Sequence, residues 1–401
     1  MKTKDKYIGV GDIAVSQLAK KYVNQVLSSR RITYGPFADS FEKEFAKLHD
    51  LKYAIFCNSG TSALQVALHA LKREYKWNDG DEVLVPALTF VATVNIIIQN
   101  NLTPIFIDVD PDFFDIDPTM IEKKITKRTR AIIPVHIGGL PCDMDPIISL
   151  ARKHSLRIIE DSCETILARY KGKSVGSFGD FGCFSTYAAH TLVTGVGGFI
   201  CTNDPKLATL AKSLVNHGRD GIYISIDDDN VSSKKKLFSI VDKRFNFVDV
   251  GYSYRATEFE AALGLAQIRE LKENVKKRRE NAAYLFKGLS DLQEFLQFPK
   301  ERKEAIHTYM FFPIIVRDGV SREDLVYFLE ERKIETRFLL PLLSQPVYRS
   351  IFGDLESKYP VATHLSHSGF YVGCHPGLTK KNLDTIIHIF HQYFTSRKKR
   401  K

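Results

Sequence analysis

From about residue 50 to about residue 203 the chain alternates short β-rich runs with helical stretches, and this alternation is the strongest constraint on its fold. The runs YAIFC (53–57), EVLVP (82–86), PIFIDVD (104–110), AIIPVH (131–136), RIIED (157–161), GCFST (182–186) and GFICT (198–202) read as strands. Helix-like segments separate several of them. In SALQVALHALKREY, Leu64, Ala67, Leu68 and Leu71 fall on one face at helical spacing. Strands joined through helices pair in parallel, because the connection must cross the sheet, and the helices cover both faces. The expected fold class is therefore α/β with a mainly parallel central sheet. Ligands bind such sheets at the carboxyl ends of the strands.

After about residue 203 the pattern changes. SIDDDNVSSKKK (225–236) reads as a polar surface loop, and a long helical stretch over roughly 256–289 leads away from the sheet. The remainder (MFFPIIV, a helix near 321–332, TRFLLPL, GFYVG and a final helix) reads as a smaller α+β lobe. The expected division is a large domain over 1–265 and a small one over 266–401. A chain of 401 residues is long enough for two packed lobes.

An apolar fraction of 44% and a charged fraction of 26% belong to a globular protein rather than a disordered or fibrous one. No apolar run reaches membrane-spanning length, and the basic start MKTKDKYIGVGDIAV lacks the apolar core of a signal peptide, so a cytoplasmic location is expected. The net charge of +10 owes much to KKK (234–236) and the terminal RKKRK (397–401). Neither is interleaved with aromatics, so no nucleic-acid partner is expected, and the tail reads as a frayed, solvated helix end, with contact to anionic membrane lipids as the alternative. The six cysteines are dispersed without a CxxC pair, which points away from zinc and from a disulfide framework. Cys163 and Cys183 fall in apolar runs and read as small buried thiols.

Four strand ends carry residues with chemistry. NSGTSAL (58–64) places Gly60, Thr61 and Ser62 where a strand gives way to a helix, which is either an anion site or a simple N-cap. Asp161 ends the apolar run RIIE, with Glu164 three residues on; a strand-end acid commonly caps the next helix. Phe90, in PALTFVAT, reads as core or as a face for a flat ligand. In FSTYAAHTLVTGVGG (184–198), Ser185 ends a strand and His190 follows five residues later, before Gly195, Gly197 and Gly198. A lone histidine is commonly structural, yet its titration near neutrality also suits a proton carrier.

Taken in order, these motifs resemble one family. TYGPFADSFEKEFAKLH, NSGTSAL, VPALTFVATVNII, PIFIDVDPDFFDID, PVHIGGLPCDMDPI, IIEDSCE, GDFGCFST, GYSYRATEFEAALGLAQI and GCHPGLT are similar to the DegT/StrS-type nucleotide-sugar aminotransferases. The resemblance implies the aspartate-aminotransferase-like (type I) fold and pyridoxal phosphate (PLP) as cofactor. It implies that the Gly60 and Thr61 amides and the Ser185 hydroxyl hold the cofactor phosphate. It further implies Asp161 at the pyridine nitrogen, Phe90 on one ring face and Glu164 near the other. Ser253 and Arg255, in GYSYR, are implied to reach the cofactor of a neighbouring subunit, so a homodimer with shared sites is expected. No metal site is expected.

One position departs from the family. Its aminotransferases carry a cofactor-anchoring lysine five residues after the serine, and this chain has His190 there. Lys171 and Lys173, in a YKGK turn, are out of register. An imidazole cannot replace the amine in the covalent anchor, so the cofactor would be held noncovalently as pyridoxamine phosphate (PMP), with His190 as acid and base. The exchange resembles the PMP-dependent sugar 3-dehydratase branch, such as GDP-4-keto-6-deoxy-D-mannose 3-dehydratase, and Glu164 fits that branch. The implied reaction removes the C3 hydroxyl of a nucleotide-linked 4-keto-6-deoxyhexose, with PMP regenerated from glutamate. A keto-sugar transamination or rearrangement, and an inactive cofactor- or sugar-nucleotide-binding homologue, remain as alternatives. An iron–sulfur version is disfavoured by the scattered cysteines. Two features have no counterpart in the branch: Val196, where the family commonly has an acid, and the segment NHGRDGIYISIDDDN (216–230). That segment is expected to shape the sugar pocket. The family's usual setting is cell-surface polysaccharide biosynthesis, including lipopolysaccharide O-antigen.

Overall fold

Seven strands form the central sheet: β1 (Tyr53–Cys57), β2 (Glu82–Pro86), β3 (Thr103–Ile107), β4 (Thr129–Ile132), β5 (Arg157–Asp161), β6 (Phe181–Ser185) and β7 (Gly198–Thr202), in the order β1-β7-β6-β5-β4-β2-β3. The computed structural model describes residues 7–220, 233–243 and 245–398. The pairings β3–β2, β2–β4, β4–β5 and β5–β6 are parallel, whereas β7 runs antiparallel to both β6 and β1. The reversal follows from the connection: residues 186–197 form a loop without a helix, so the chain turns back beside β6 instead of crossing the sheet. The other strands run the same way and direct their carboxyl ends to one edge. β3 and β4 are shorter than their apolar runs. Just beyond β4, Pro134 has no N–H with which to continue a ladder.

The helix Gly60–Glu74 leaves β1 and lies at the centre of the core, with Leu64, Ala67, Leu68 and Leu71 fully or almost fully buried. Beside β1 and β7, Phe41, Phe45, Phe56, Phe184 and Phe199 pack together, with Phe45 and Phe199 stacked at 3.8 Å between ring centroids. The helical stretch at 256–289 is two helices, Glu258–Ile268 and Leu271–Gly288, separated at Arg269–Glu270. Beyond them, Leu296–Gln297, Phe312–Val316, Gly369–Val372 and Arg337–Phe338 form an antiparallel sheet in that order. It shares a second apolar cluster with the helices Leu271–Gly288, Arg322–Glu331 and Lys380–Lys398. The expectation of a loop over 225–236 needs correction at its end: residues 225–232 lie outside the described residues, but Lys234–Lys243 is a helix. Residues 399–401 of the basic tail also lie outside them. Among the described residues, no helix is long and apolar enough to cross a membrane.

A buried carboxylate ties the first segment of the chain to the later helices. At the start of the helix Pro36–Leu48, Gly35 offers no capping side chain and Pro36 has no N–H. The next two amides, of Phe37 and Ala38, donate to the two oxygens of Glu258 at 3.0 and 2.8 Å. Glu258 is 1% exposed and sits at the start of its own helix, so one side chain sets the relative position of two elements. Glu258→Ala is expected to lower unfolding stability by about 2–3 kcal/mol in urea titrations, and Glu258→Gln, which keeps one acceptor, by less.

Candidate active site

The carboxyl end of β1 opens directly into a helix N-terminus. Ser59 caps the helix Gly60–Glu74: its Oγ accepts from Ser62 N at 3.0 Å and its carbonyl from Ala63 N at 3.0 Å. The amides of Gly60 and Thr61 have no intrahelical acceptor, so they remain donors for a ligand oxygen. Gly60 is required sterically, since a Cβ there would lie 2.7 Å from Ser185 Cβ and 2.8 Å from Cys163 Sγ. Gly198 is equally constrained, with a Cβ placed 2.6 Å from Gly60 N. Thus Gly60, Ser185 and Cys163 meet at the strand ends. Cys163 is half-buried in the turn after β5, not inside a strand as its apolar neighbours suggested, whereas Cys183 is buried in β6 as expected.

Asp161 closes β5 at the same edge. Its Oδ2 accepts from Thr93 Oγ1 at 2.8 Å and its Oδ1 from Cys163 N at 3.2 Å. Burial pushes this carboxyl up, and the two hydrogen bonds oppose that shift. Among the described residues no lysine or arginine is paired with it, so a bound cation such as a protonated pyridine nitrogen would supply the missing charge. Phe90 is 58% exposed, which overturns the core reading and leaves its ring available as a face for a planar ligand. It stands immediately before the helix Val91–Gln99 that carries Thr93.

Glu164 completes this wall. Its Oε2 accepts from Gly138 N at 2.7 Å, and burial pushes the carboxyl up to about 7. Its charge is felt at Tyr371, in the C-terminal sheet, where Phe311 stacks on the tyrosine ring at 4.1 Å. A folded chain that holds a proton which the unfolded chain releases is favoured at low pH. This stabilising contribution is fully present below the ordinary carboxylate range and is lost as pH rises through about 7. Wild-type protein should therefore lose thermal stability relative to Glu164→Gln between about pH 5 and about pH 8, read from paired melting curves.

His190 lies on the loop between β6 and β7. The loop is closed at its neck: Thr186 N donates to Gly197 O at 2.9 Å, Thr194 N donates to Thr186 O at 2.9 Å, and the two threonine hydroxyls lie 2.5 Å apart. His190 Nδ1 is 3.3 Å from the Ser185 carbonyl oxygen. A carbonyl only accepts, so this contact assigns the ring proton to Nδ1 and the lone pair to Nε2. Burial lowers the imidazole to about 4, assisted by the Arg278 charge and opposed by the Ser185 and Cys163 carbonyls. His190 is thus held as the neutral base at pH 7, rather than titrating near neutrality as the bare sequence implied. In the cofactor-free protein its ring resonances should titrate near 4, not near the 6.5 of a free imidazole, in an NMR pH series.

Lys171 and Lys173 lie elsewhere. Lys171 Nζ pairs with Asp145 at 2.6 Å on a surface hairpin, and Lys173 lies over the Phe178 ring. Ser253 and Arg255 do not join the other site residues within one chain. Arg255 donates to Ser253 Oγ at 3.1 Å and lies 3.2 Å from His217 Nε2, in a groove lined also by Tyr34, Asn216 and Arg219. Their segment does run close to the cradle, because Asn58 N donates to Tyr254 O at 2.8 Å. Thr93 and Tyr371 escaped the sequence reading; Thr93 lies inside PALTFVAT, three residues after Phe90, and helical spacing was the available signal. The donor cradle, the unpaired buried acid and the open aromatic face together fit a flat, phosphorylated pyridine such as PLP or PMP. No group of acids, histidines and cysteines among the described residues is arranged to hold a metal.

The fold and this edge of strand ends define a PLP-type aminotransferase scaffold. The model of the DegT/DnrJ/EryC1/StrS aminotransferase family matches residues 14–391, and the chain belongs to that family. It is 34% identical over 394 residues to the GDP-perosamine synthase of Escherichia coli O157:H7, covering 98% of this chain and 100% of that protein. It is 33% identical over 377 residues to the dTDP-4-dehydro-2,6-dideoxy-D-glucose 3-dehydratase of Saccharopolyspora spinosa, covering 89% of this chain and 80% of that one. Among solved structures, E. coli GDP-4-keto-6-deoxy-D-mannose-3-dehydratase with bound hydrated PLP superposes with a TM-score of 0.83 at 26% identity, covering 96% of this chain and 99% of that one.

Proposed function

We propose that this chain is a PMP-dependent 3-dehydratase of a nucleotide-linked 4-keto-6-deoxyhexose. The observation that carries the reading is His190: a neutral imidazole, with no amine in its place, follows the Ser185 cradle on the loop between β6 and β7. The cofactor, when bound as PMP, would supply from its C4′–H bond the electron pair that replaces the one departing with the C3 oxygen. The Gly60 and Thr61 amides and the Ser185 hydroxyl bind its phosphate. The Asp161 carboxylate holds the proton on the ring nitrogen, Phe90 covers one ring face, and Glu164 borders the other. His190 would accept at Nε2 the proton released from the cofactor's C4′ carbon and give it to the C3 hydroxyl, which leaves as water.

Glutamate is the proposed amino donor that restores PMP, and its nitrogen leaves as ammonia when the released sugar product hydrolyses to the ketone. Two copies of the chain are proposed to share their sites, with Ser253 and Arg255 of one serving the cofactor of the other. The proposed setting is cytoplasmic synthesis of nucleotide-linked deoxysugars. A second reading, net transamination of the keto-sugar, is favoured by the likeness to GDP-perosamine synthase. The two differ in whether nitrogen enters the product.

Incubation of the protein with PLP, glutamate and GDP-4-keto-6-deoxymannose, or its CDP counterpart, should give by mass spectrometry a sugar nucleotide lighter by one oxygen. His190→Asn should reduce that product by at least about 100-fold while still taking up PLP, as followed by its absorbance. Recovery of a 4-amino sugar alone would establish the second reading instead.

A further inference from the structure

The loop that carries His190 is held from outside by one side chain whose use the proposed chemistry leaves unexplained. Gln267 lies near the end of the helix Glu258–Ile268. Its Oε1 accepts from the main-chain N–H of Val193 at 3.1 Å, and its Nε2 donates to the carbonyl of that same Val193. Nε2 also donates to the Leu263 carbonyl, one turn back on its own helix, at 3.2 Å. The primary amide thus binds both backbone groups of a single loop residue while a second donor bond fixes its own orientation. A glutamine offers one acceptor and two donors on a planar group, and all three are used here.

Val193 is three residues after His190 and one before Thr194, whose hydroxyl closes the neck of the loop at Thr186. The loop is therefore tied at two points, at its base by the paired threonines and on its outgoing limb by Gln267. His190 stands on the span between them, and its ring is held by the 3.3 Å contact to Ser185 O and by the Cys163 carbonyl. A contact of that length is a weak restraint by itself. The backbone on either side must then set where the imidazole lies relative to the Gly60–Ser185 cradle.

We propose that Gln267 is a positioning residue that fixes the register of the 186–197 loop and thereby aims His190 at the departing C3 hydroxyl. It touches neither cofactor nor substrate and acts through Val193. This assignment rests on the acid–base role proposed for His190, but the tie between Gln267 and the loop can be measured without it.

The test uses the full-length protein loaded with PLP, with Gln267→Ala and Gln267→Glu as variants. A carboxylate at this position can accept from Val193 N but can donate to neither Val193 O nor Leu263 O, so Gln267→Glu keeps the acceptor half of the amide and removes both donor bonds. In hydrogen exchange read by mass spectrometry, peptides spanning 186–197 should exchange faster in both variants, while peptides from the core helix Gly60–Glu74 stay unchanged. In turnover of the keto-sugar nucleotide, kcat should fall by about 10- to 100-fold, KM should move by less than about threefold, and PLP uptake should remain. Unchanged exchange in the loop overturns the tie. Faster exchange with unchanged kcat shows that the loop is tied but that the tie does not aim His190, and overturns the positioning role. A parallel loss of kcat, PLP uptake and core protection identifies Gln267 as a purely structural residue and also overturns it. If wild-type protein forms only an amino sugar, the dehydratase reading fails, and the exchange comparison still decides the tie.

Discussion

The antiparallel return of β7 beside β6 is the constraint on which the rest of the site depends. It places the end of β6, with Ser185, against the beginning of β7, with Gly198, and packs Gly198 onto the backbone of Ser59 and Gly60. Any side chain at Gly60 or Gly198 would force these segments apart. Three connections therefore converge at one edge: the turn from β1 into its helix, the turn after β5, and the loop from β6 to β7. The donors of the first, the acid of the second and the imidazole of the third become neighbours because glycine allows backbone to touch backbone. A crossover helix between β6 and β7 would have carried the chain away from this edge and left Ser185 without its partner segment.

Two adjacent acids on β5 show how the same strand separates structural from chemical work. Glu160 is fully buried and accepts from Gly176, Phe178 and Gly179 amides at 2.7, 2.6 and 2.8 Å, with His136 Nε2 at 3.2 Å. Its hydrogen-bonding capacity is filled, which holds the 176–179 turn in place. Asp161, on the opposite face by the two-residue period of a strand, accepts from Thr93 Oγ1 and Cys163 N and has no paired lysine or arginine among the described residues. The satisfied acid fixes the turn leading into β6. The under-compensated acid is left facing the ligand edge, where burial without a counter-charge creates demand for a cationic ring nitrogen.

Much of this arrangement was legible in the chain. The seven strands of the central sheet coincide with apolar runs, since a strand covered on both faces must be apolar along its length. Gly60, Asp161 and Ser185 were legible as strand-end residues, and His190 as a residue of the loop after Ser185, because strand ends in such sheets are where ligands bind. Other features left no trace in local pattern. Phe90 is exposed although its neighbours are core, and helix Lys234–Lys243 grows from a segment whose composition reads as loop. The break at Arg269–Glu270 interrupts a helical periodicity that continues on both sides. Ser253 and Arg255 sit in a groove apart from the other site residues of their own chain.

The order of strands and helices, and the identity of the residues at the strand ends, were determined by the sequence alone, because apolar periodicity and glycine placement act over a few neighbouring residues. The partners of those residues were decided only by the tertiary structure. Glu258 reaches back over 220 residues to cap a helix, and Gln267 reaches 74 residues to hold the loop of His190. The proton state of His190 belongs to the same class: histidine as a residue type titrates near neutrality, and burial in this loop lowers it to about 4. Hydrogen-bond pairing and desolvation depend on what the fold brings alongside a side chain, and no periodicity in the sequence records that.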